Sequence, residues 1–136
     1  MSNPRPSRPT VIVVDDDDGL RTALRYSLEI EGFNVVTCAS GESLLKLALP
    51  QTSACLVVDQ VLPGISGIDA LEVLRERQVD LPAIVITSSP DARLRARTRL
   101  ADAYLIEKPL LNDLLTRAIR SLLFPSGGPA RASANA

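Results

Sequence analysis

The chain has no histidine among its 136 residues. That absence excludes zinc sites built on imidazole, every histidine-containing catalytic triad and every histidine general base. Cysteine is scarce too: Cys38 and Cys55 form no C-x-x-C pair, and both read as small core residues of a reduced, intracellular protein. No apolar run approaches the roughly 20 residues needed to cross a bilayer. The opening "MSNPRPSRPT" lacks the apolar segment of a signal peptide, so the expected compartment is the cytoplasm, with no membrane partner. A formal charge of -1 gives no reason to expect a polyanion partner. Any metal or phosphoryl chemistry must therefore rest on carboxylates, hydroxyls and lysine.

What is present is a core-forming chain: 46% hydrophobic and 23% charged residues suit one folded unit of ordinary size. Residues 1–9 hold three prolines, two arginines and two serines and are expected to be a flexible leader; "PSGGPARASANA", 125–136, reads as a disordered tail. The folded part is then 10–124. Within it, "TVIVVD" (10–15), "FNVVTC" (33–38), "ACLVVD" (54–59), "AIVIT" (83–87) and "AYLIE" (103–107) read as strands. Several are apolar without alternation, as strands covered on both faces are. Between them run helical stripes: Leu20, Ala23, Leu24, Ser27 and Leu28; Leu44, Leu47 and Ala48; Ile68, Leu71 and Leu74; then Leu111, Leu114, Leu115, Ala118, Ile119 and Leu122. The alternation predicts a doubly wound (βα)5 protein of the α/β class, its mostly parallel sheet covered by helices on both faces.

In such a fold, ligands bind beyond the carboxyl ends of the strands. Those ends carry Asp15 and Asp16, Asp59, Thr87 and Lys108. Crowded carboxylates resist ionisation unless a cation or hydrogen-bond donors offset them. Mg2+ takes one or two carboxylates with waters and phosphate oxygens, so Asp15, Asp16 and Asp59 are its expected ligands. Asp59 can also act as nucleophile through an acyl phosphate, with Thr87 and Lys108 holding the phosphoryl oxygens. Asp17 and Asp18 read more simply as the cap and first-turn acid of a helix.

"VVDD" after the first strand, "D-x-x-x-P-G-x-S-G" from Asp59 to Gly67, "VIT" at the fourth strand and "EKP" at the fifth appear in order. Together they resemble the receiver domain of two-component response regulators, over about residues 10–123, in the manner of single-domain chemotaxis regulators. The resemblance implies a flavodoxin-like three-layer sandwich with strand order 2-1-3-4-5. It implies Asp59 as phospho-acceptor, Asp15 and Asp16 as the acidic pair for Mg2+, and the backbone carbonyl of Val61 as a further metal ligand. Thr87 resembles the switch hydroxyl, with Ser88 beside it among the phosphate contacts, and Lys108 the phosphate-pairing lysine. The Lys108–Pro109 bond is expected to be cis, as an X-Pro bond can be at modest cost. The implied donor is a sensor histidine kinase or phosphotransfer protein and the implied output is phosphorylation-dependent binding of a downstream protein; dimerisation on phosphorylation is left open.

The chain departs from the family pattern at the relay position. Relatives carry Tyr or Phe three residues before the lysine; here that residue is Leu105, and the aromatic is its neighbour Tyr104, on the opposite strand face. Between Thr87 and the fifth strand, Arg93 and Arg97 lie on one helical face and Arg95 and Arg99 nearly opposite, which predicts a short, weakly docked fourth helix, either solvated or a basic surface for an acidic partner. With no aromatics interleaved, direct nucleic-acid binding is not expected. Asp102 stands where most relatives have glycine, so altered geometry is expected there.

The leading reading is a single-domain signalling phospho-acceptor rather than an enzyme in the ordinary sense. Its alternatives are a receiver cut from a longer DNA-binding transcription regulator and a pseudo-receiver that only binds protein. A haloacid dehalogenase-type phosphatase is a rival through "D-x-D-G" at Asp16 to Gly19, yet it needs a further acidic cluster after the lysine strand, where only Asp113 remains.

Overall fold

The computed structural model describes residues 8–110 and 113–125. The expected leader and tail, apart from Arg8, Pro9 and Pro125, lie outside the described residues, as does Leu111. Five strands alternate with five helices: β1 (Thr10–Val14), α1 (Asp18–Ile30), β2 (Asn34–Cys38), α2 (Gly41–Lys46), β3 (Ala54–Asp59), α3 (Gly67–Glu76), β4 (Ala83–Thr87), α4 (Ala92–Leu100), β5 (Tyr104–Glu107) and α5 (Leu114–Leu123). The sheet is parallel throughout, in the expected order β2-β1-β3-β4-β5. Every residue of β3 and β4 is buried. Alternate side chains of the strands feed two cores, one on each face. On one side Ile12, Val14, Leu56, Val58 and Val85 meet Ile68, Leu71 and Leu74 of α3; on the other Val11, Val13, Val57, Ile84 and Ile86 meet Leu28 of α1 and Leu115 and Ile119 of α5. Cys38 and Cys55 are buried and unpaired, one in each core. Burial pushes the Cys55 thiol up to about 12.

The helices differ from their sequence stripes in three places, the first being Leu114 of α5, which is exposed despite its place in the stripe. In α1 the buried edge is narrower than expected: Leu28 is buried and Leu24 packs beside it, while Ala23 and Ser27 are exposed. The second helix ends at Lys46, so Leu47 is already extended at φ -79, ψ 140 and Ala48 is exposed beyond it. Six residues cannot sustain a longer stripe once the chain must turn toward Pro50.

The fourth helix is short, nine residues, but its docking is more specific than its arginine pattern suggests. Leu94 and Thr98 are buried, and the Thr98 hydroxyl donates to the Leu94 carbonyl at 2.7 Å. Arg97 forks onto α3: Nε donates to Glu72 Oε2 at 3.1 Å, and Nη2 to Glu72 Oε1 at 2.6 Å and to Asp69 Oδ1 at 2.8 Å. The Arg97 hydrogen bond holds the Asp69 carboxyl below its usual range. Arg93, Arg95 and Arg99 remain exposed. Asp102 takes the left-handed conformation at φ 56, a region glycine enters freely and aspartate tolerates.

Candidate functional site

The site forms where β1, β3, β4 and β5 end. Asp15 leaves β1 with its backbone N–H donated to the Cys38 carbonyl at 3.1 Å and its Oδ1 accepting from the Asp17 N–H at 2.8 Å. Asp17 then caps α1, accepting from the Leu20 N–H at 3.0 Å, and Asp18 is the first-turn acid, paired with Arg21. Both therefore serve the helix terminus, as expected from the dipole and the unpaired N–H groups there. Asp59 is the last residue of the central strand β3, only 6% exposed. One carboxylate oxygen from each of Asp15, Asp16 and Asp59 lies within 4.8 Å of the others.

Lys108 Nζ approaches Asp59 Oδ1 to 3.1 Å, yet off the direction a hydrogen bond requires, so that buried oxygen has an ion-pair neighbour and no hydrogen-bond donor. An unsatisfied buried carboxylate oxygen is costly unless something else completes its shell. A hard divalent cation among three carboxylates does so, and the all-oxygen donor set suits Mg2+. Thr87 is buried at the end of β4; its Oγ1 accepts from the Ser89 N–H at 3.1 Å, which leaves its own proton to donate. The Lys108 N–H donates to the Thr87 carbonyl at 2.8 Å, tying the two strand ends together, and the Lys108–Pro109 bond is cis.

The turn after β3 is held from behind. Gln60 N–H donates to the Ile86 carbonyl at 2.8 Å, its carbonyl accepts from the Gly67 N–H at 3.0 Å, and its Oε1 accepts from the Ile68 N–H at 2.8 Å. Val61, two residues past Asp59, is 71% exposed. Ser88 is exposed at the rim beside Thr87. Tyr104 and Leu105 lie deeper, paired with Ile84 and Val85 rather than with the strand ends. Leu105 packs against the α3-side core, whereas Tyr104 is half exposed near Leu114 and Ala118 of α5.

Two supports of this site were missed by sequence reasoning. Arg21 Nη1 donates to the Asp15 carbonyl at 2.6 Å while its other nitrogen pairs with Asp18, and Glu42 accepts from the Ile65 N–H at 3.0 Å across 23 residues. Arg21 lies one turn from the aspartate run, so a search for cations at helical spacing from it finds that contact. Glu42 could not be found that way, because its partner is a backbone group.

Residues 11–120 match the family described as response regulator receiver domain. The chain belongs to the response regulator receiver family. Receiver domains of this family bind Mg2+ at an acidic pocket and act as signalling phospho-acceptors, and the cluster of Asp15, Asp16 and Asp59 fits such a pocket. The chain is 38% identical over 117 residues to the transcriptional regulatory protein AfsQ1 of Streptomyces coelicolor, covering 85% of this chain and 51% of that one. To the transcriptional regulatory protein FixJ of Azorhizobium caulinodans it is 33% identical over 127 residues, covering 93% and 60%. A solved structure of response regulator TrrA from Thermotoga maritima, in complex with Mg2+-BeF, superposes with a TM-score of 0.73 at 27% identity, covering 85% of this chain and 99% of that one. The chain spans 26% to 60% of the length of the curated relatives it matches. No helix among the described residues is long and apolar enough to cross a membrane.

The surroundings of Asp15 oppose its ionisation. Burial first, then the Asp59 and Asp16 carboxylates, raise Asp15 above the usual range, outweighing the Asp17 N–H and Lys108, which lower it. A carboxyl whose folded pKa is raised costs stability as pH rises through that value. Asp15→Asn keeps the acceptor for the Asp17 N–H and removes the charge. It is expected to stabilise the metal-free protein at pH 7, to flatten the loss of stability as pH rises above the ordinary carboxylate range, and to abolish stabilisation by added Mg2+. Thermal melts with and without MgCl2 check this; a variant less stable than the parent without metal contradicts it.

Proposed function

We propose that this chain takes a phosphoryl group onto Asp59 from a sensor histidine kinase or phosphotransfer protein and signals by changing its affinity for a downstream protein. The observation that supports this most is the Asp59 carboxylate: buried at the end of the central strand, beside the Lys108 ammonium at 3.1 Å, with Oδ1 lacking any hydrogen-bond donor. A carboxylate oxygen of Asp59 attacks phosphorus as the donor's P–N bond breaks; the electron pair stays on the imidazole nitrogen, which takes up a proton. Asp15, Asp16, Asp59 and the Val61 carbonyl would hold Mg2+, which when bound supplies charge neutralisation for the phosphoryl oxygens. Lys108 pairs with one of those oxygens, Thr87 donates its hydroxyl to another, and Ser88 lies within the same rim. With Leu105 in place of an aromatic and Tyr104 on the other strand face, the response is relayed through aliphatic packing of Leu105 against the α3-side core rather than by an inward-swinging ring. The cytoplasm, where such donors carry their phosphohistidine, is the corresponding compartment.

Incubation with Mg2+ and acetyl phosphate or phosphoramidate is expected to add the mass of one phosphoryl group. Asp59→Asn should lose the adduct entirely. No adduct on the parent chain, or one that survives in Asp59→Asn, overturns the assignment, and the first result leaves the pseudo-receiver reading standing.

A second reading is favoured by the relatives. AfsQ1 and FixJ are transcriptional regulatory proteins about twice the length that this chain matches, so the receiver can equally serve as the input module of a longer regulator whose partner is its own output domain. Reading the gene beyond the codon for Ala136 decides between the two.

A further inference from the structure

We propose that Glu42 is a positioning residue for the metal site, holding the turn between β3 and α3 so that the Val61 carbonyl is presented to the acid cluster. This rests on the reading of Val61 as a metal ligand. The turn has two anchors. Gln60 fixes its start through the three hydrogen bonds described above, and the far half, Pro63 to Ile65, is met by the first turn of α2. There the Glu42 carboxylate accepts from the Ile65 N–H at 3.0 Å.

The two segments are shaped to each other. A Cβ at Gly64, where φ is 78, would sit 2.3 Å from Glu42 Oε2, and a Cβ at Gly41 would sit 2.7 Å from Ile65 Cγ1. Each side thus carries a glycine where the other side needs room, which is the mark of a close approach rather than a chance surface contact. Ser40 fixes the start of α2 by accepting from the Ser43 N–H at 3.1 Å, so Glu42 projects from a capped turn. The Ile65 N–H also holds the Glu42 carboxyl below its usual range, so it stays an acceptor throughout neutral pH. Val61 is exposed and Leu62 alone of the turn is buried. The path of the backbone through Val61 is consequently set by what grips the chain before and after it.

Titration calorimetry with MgCl2 on the whole chain tests this directly, beside thermal melts of the same samples. Glu42→Ala is expected to weaken Mg2+ binding about fivefold, since one charge-assisted hydrogen bond is lost, with only a small fall in melting temperature in the absence of metal. Glu42→Gln keeps an oxygen acceptor and should restore affinity to within about twofold of the parent. Gly64→Ala, which drives the carboxylate away from the other side, should weaken binding in the same direction. Unchanged Mg2+ affinity in Glu42→Ala, or a lower melting temperature as its sole effect, overturns the role of Glu42 while leaving Asp59 phosphorylation intact. A parent chain that binds no Mg2+ overturns the metal reading itself, and this inference with it.

Discussion

Arg75→Ala is expected to lower the free energy of unfolding by about 3 kcal/mol, a large part of the 5 to 15 kcal/mol typical of a domain. Near the end of α3, the half-buried guanidinium gathers four backbone carbonyls from two separate turns. Nε donates to Ala101 at 2.7 Å, Nη1 to Val79 and Leu81 at 2.8 Å each, and Nη2 to Asp102 at 3.2 Å. Burial lowers its pKa, with Asp102 and Asp80 opposing that shift at longer range. Truncation leaves several carbonyls without donors in places where water reaches only part of them. It also frees the turns that lead into β4 and β5, the strands whose ends carry Thr87 and Lys108. Arg75→Lys should recover only part of the loss, because a single ammonium cannot span the fork. Urea unfolding with an unchanged slope measures the effect; a loss below 1 kcal/mol would show that water replaces the guanidinium at little cost.

For Gly67→Ala, two physical arguments predict opposite signs. Gly67 is the first residue of α3, and helix propensity favours alanine over glycine by up to about 1 kcal/mol. Tertiary contact says otherwise: a Cβ there would stand 2.3 Å from the Asp59 carbonyl oxygen and 3.0 Å from the Asp59 carbonyl carbon and from Val58 Cγ1. The nearest obstructing atoms, the Asp59 carbonyl oxygen and carbon, belong to the backbone of the central strand, which is paired with β4 at that residue, so they cannot swing away as a side chain can. Either the start of α3 lifts or the end of β3 bends, at a cost of about 3 kcal/mol. The bend moves the Asp59 carboxylate, the acceptor in the function proposed above, and displacement of a reacting group by about 1 Å lowers a rate roughly a hundredfold. Gly67→Ala is therefore expected to destabilise the protein and to slow Asp59 phosphorylation by acetyl phosphate together. A more stable, fully active variant would mean that helix propensity outweighs the contact.

The two substitutions mark where linear pattern stops being informative. "VIVV", "CLVV" and "AIVI" identify buried parallel strands because burial on both faces leaves no alternation, and the rule that ligands gather at strand ends then selects Asp15, Asp16, Asp59, Thr87 and Lys108 without coordinates. The cap at Asp17 was legible for the same local reason: its partners lie within one helical turn. Arg97 and Arg75 were not. Arg97 read as part of a helix either solvated or basic toward an acidic partner, yet it finds Glu72 and Asp69 more than 20 residues away in the same chain; Arg75 carried no reading, since its partners are backbone carbonyls, which have no side-chain signature. The second helix stopped early at Lys46 because the chain had to reach β3, a demand that residues 47 and 48 do not encode.

Taken by itself, the sequence determined which segments are strands, which faces of most helices are apolar, and which side chains stand at the strand ends, since each follows from contacts between near neighbours and from burial of apolar surface. Only the tertiary structure decided that Asp59 Oδ1 has no hydrogen-bond donor, that Glu42 grips the turn after β3, that Gly67 lies against the Asp59 carbonyl and that Arg75 gathers four backbone carbonyls. Those properties depend on distances between backbone atoms far apart along the chain, and no residue type announces them.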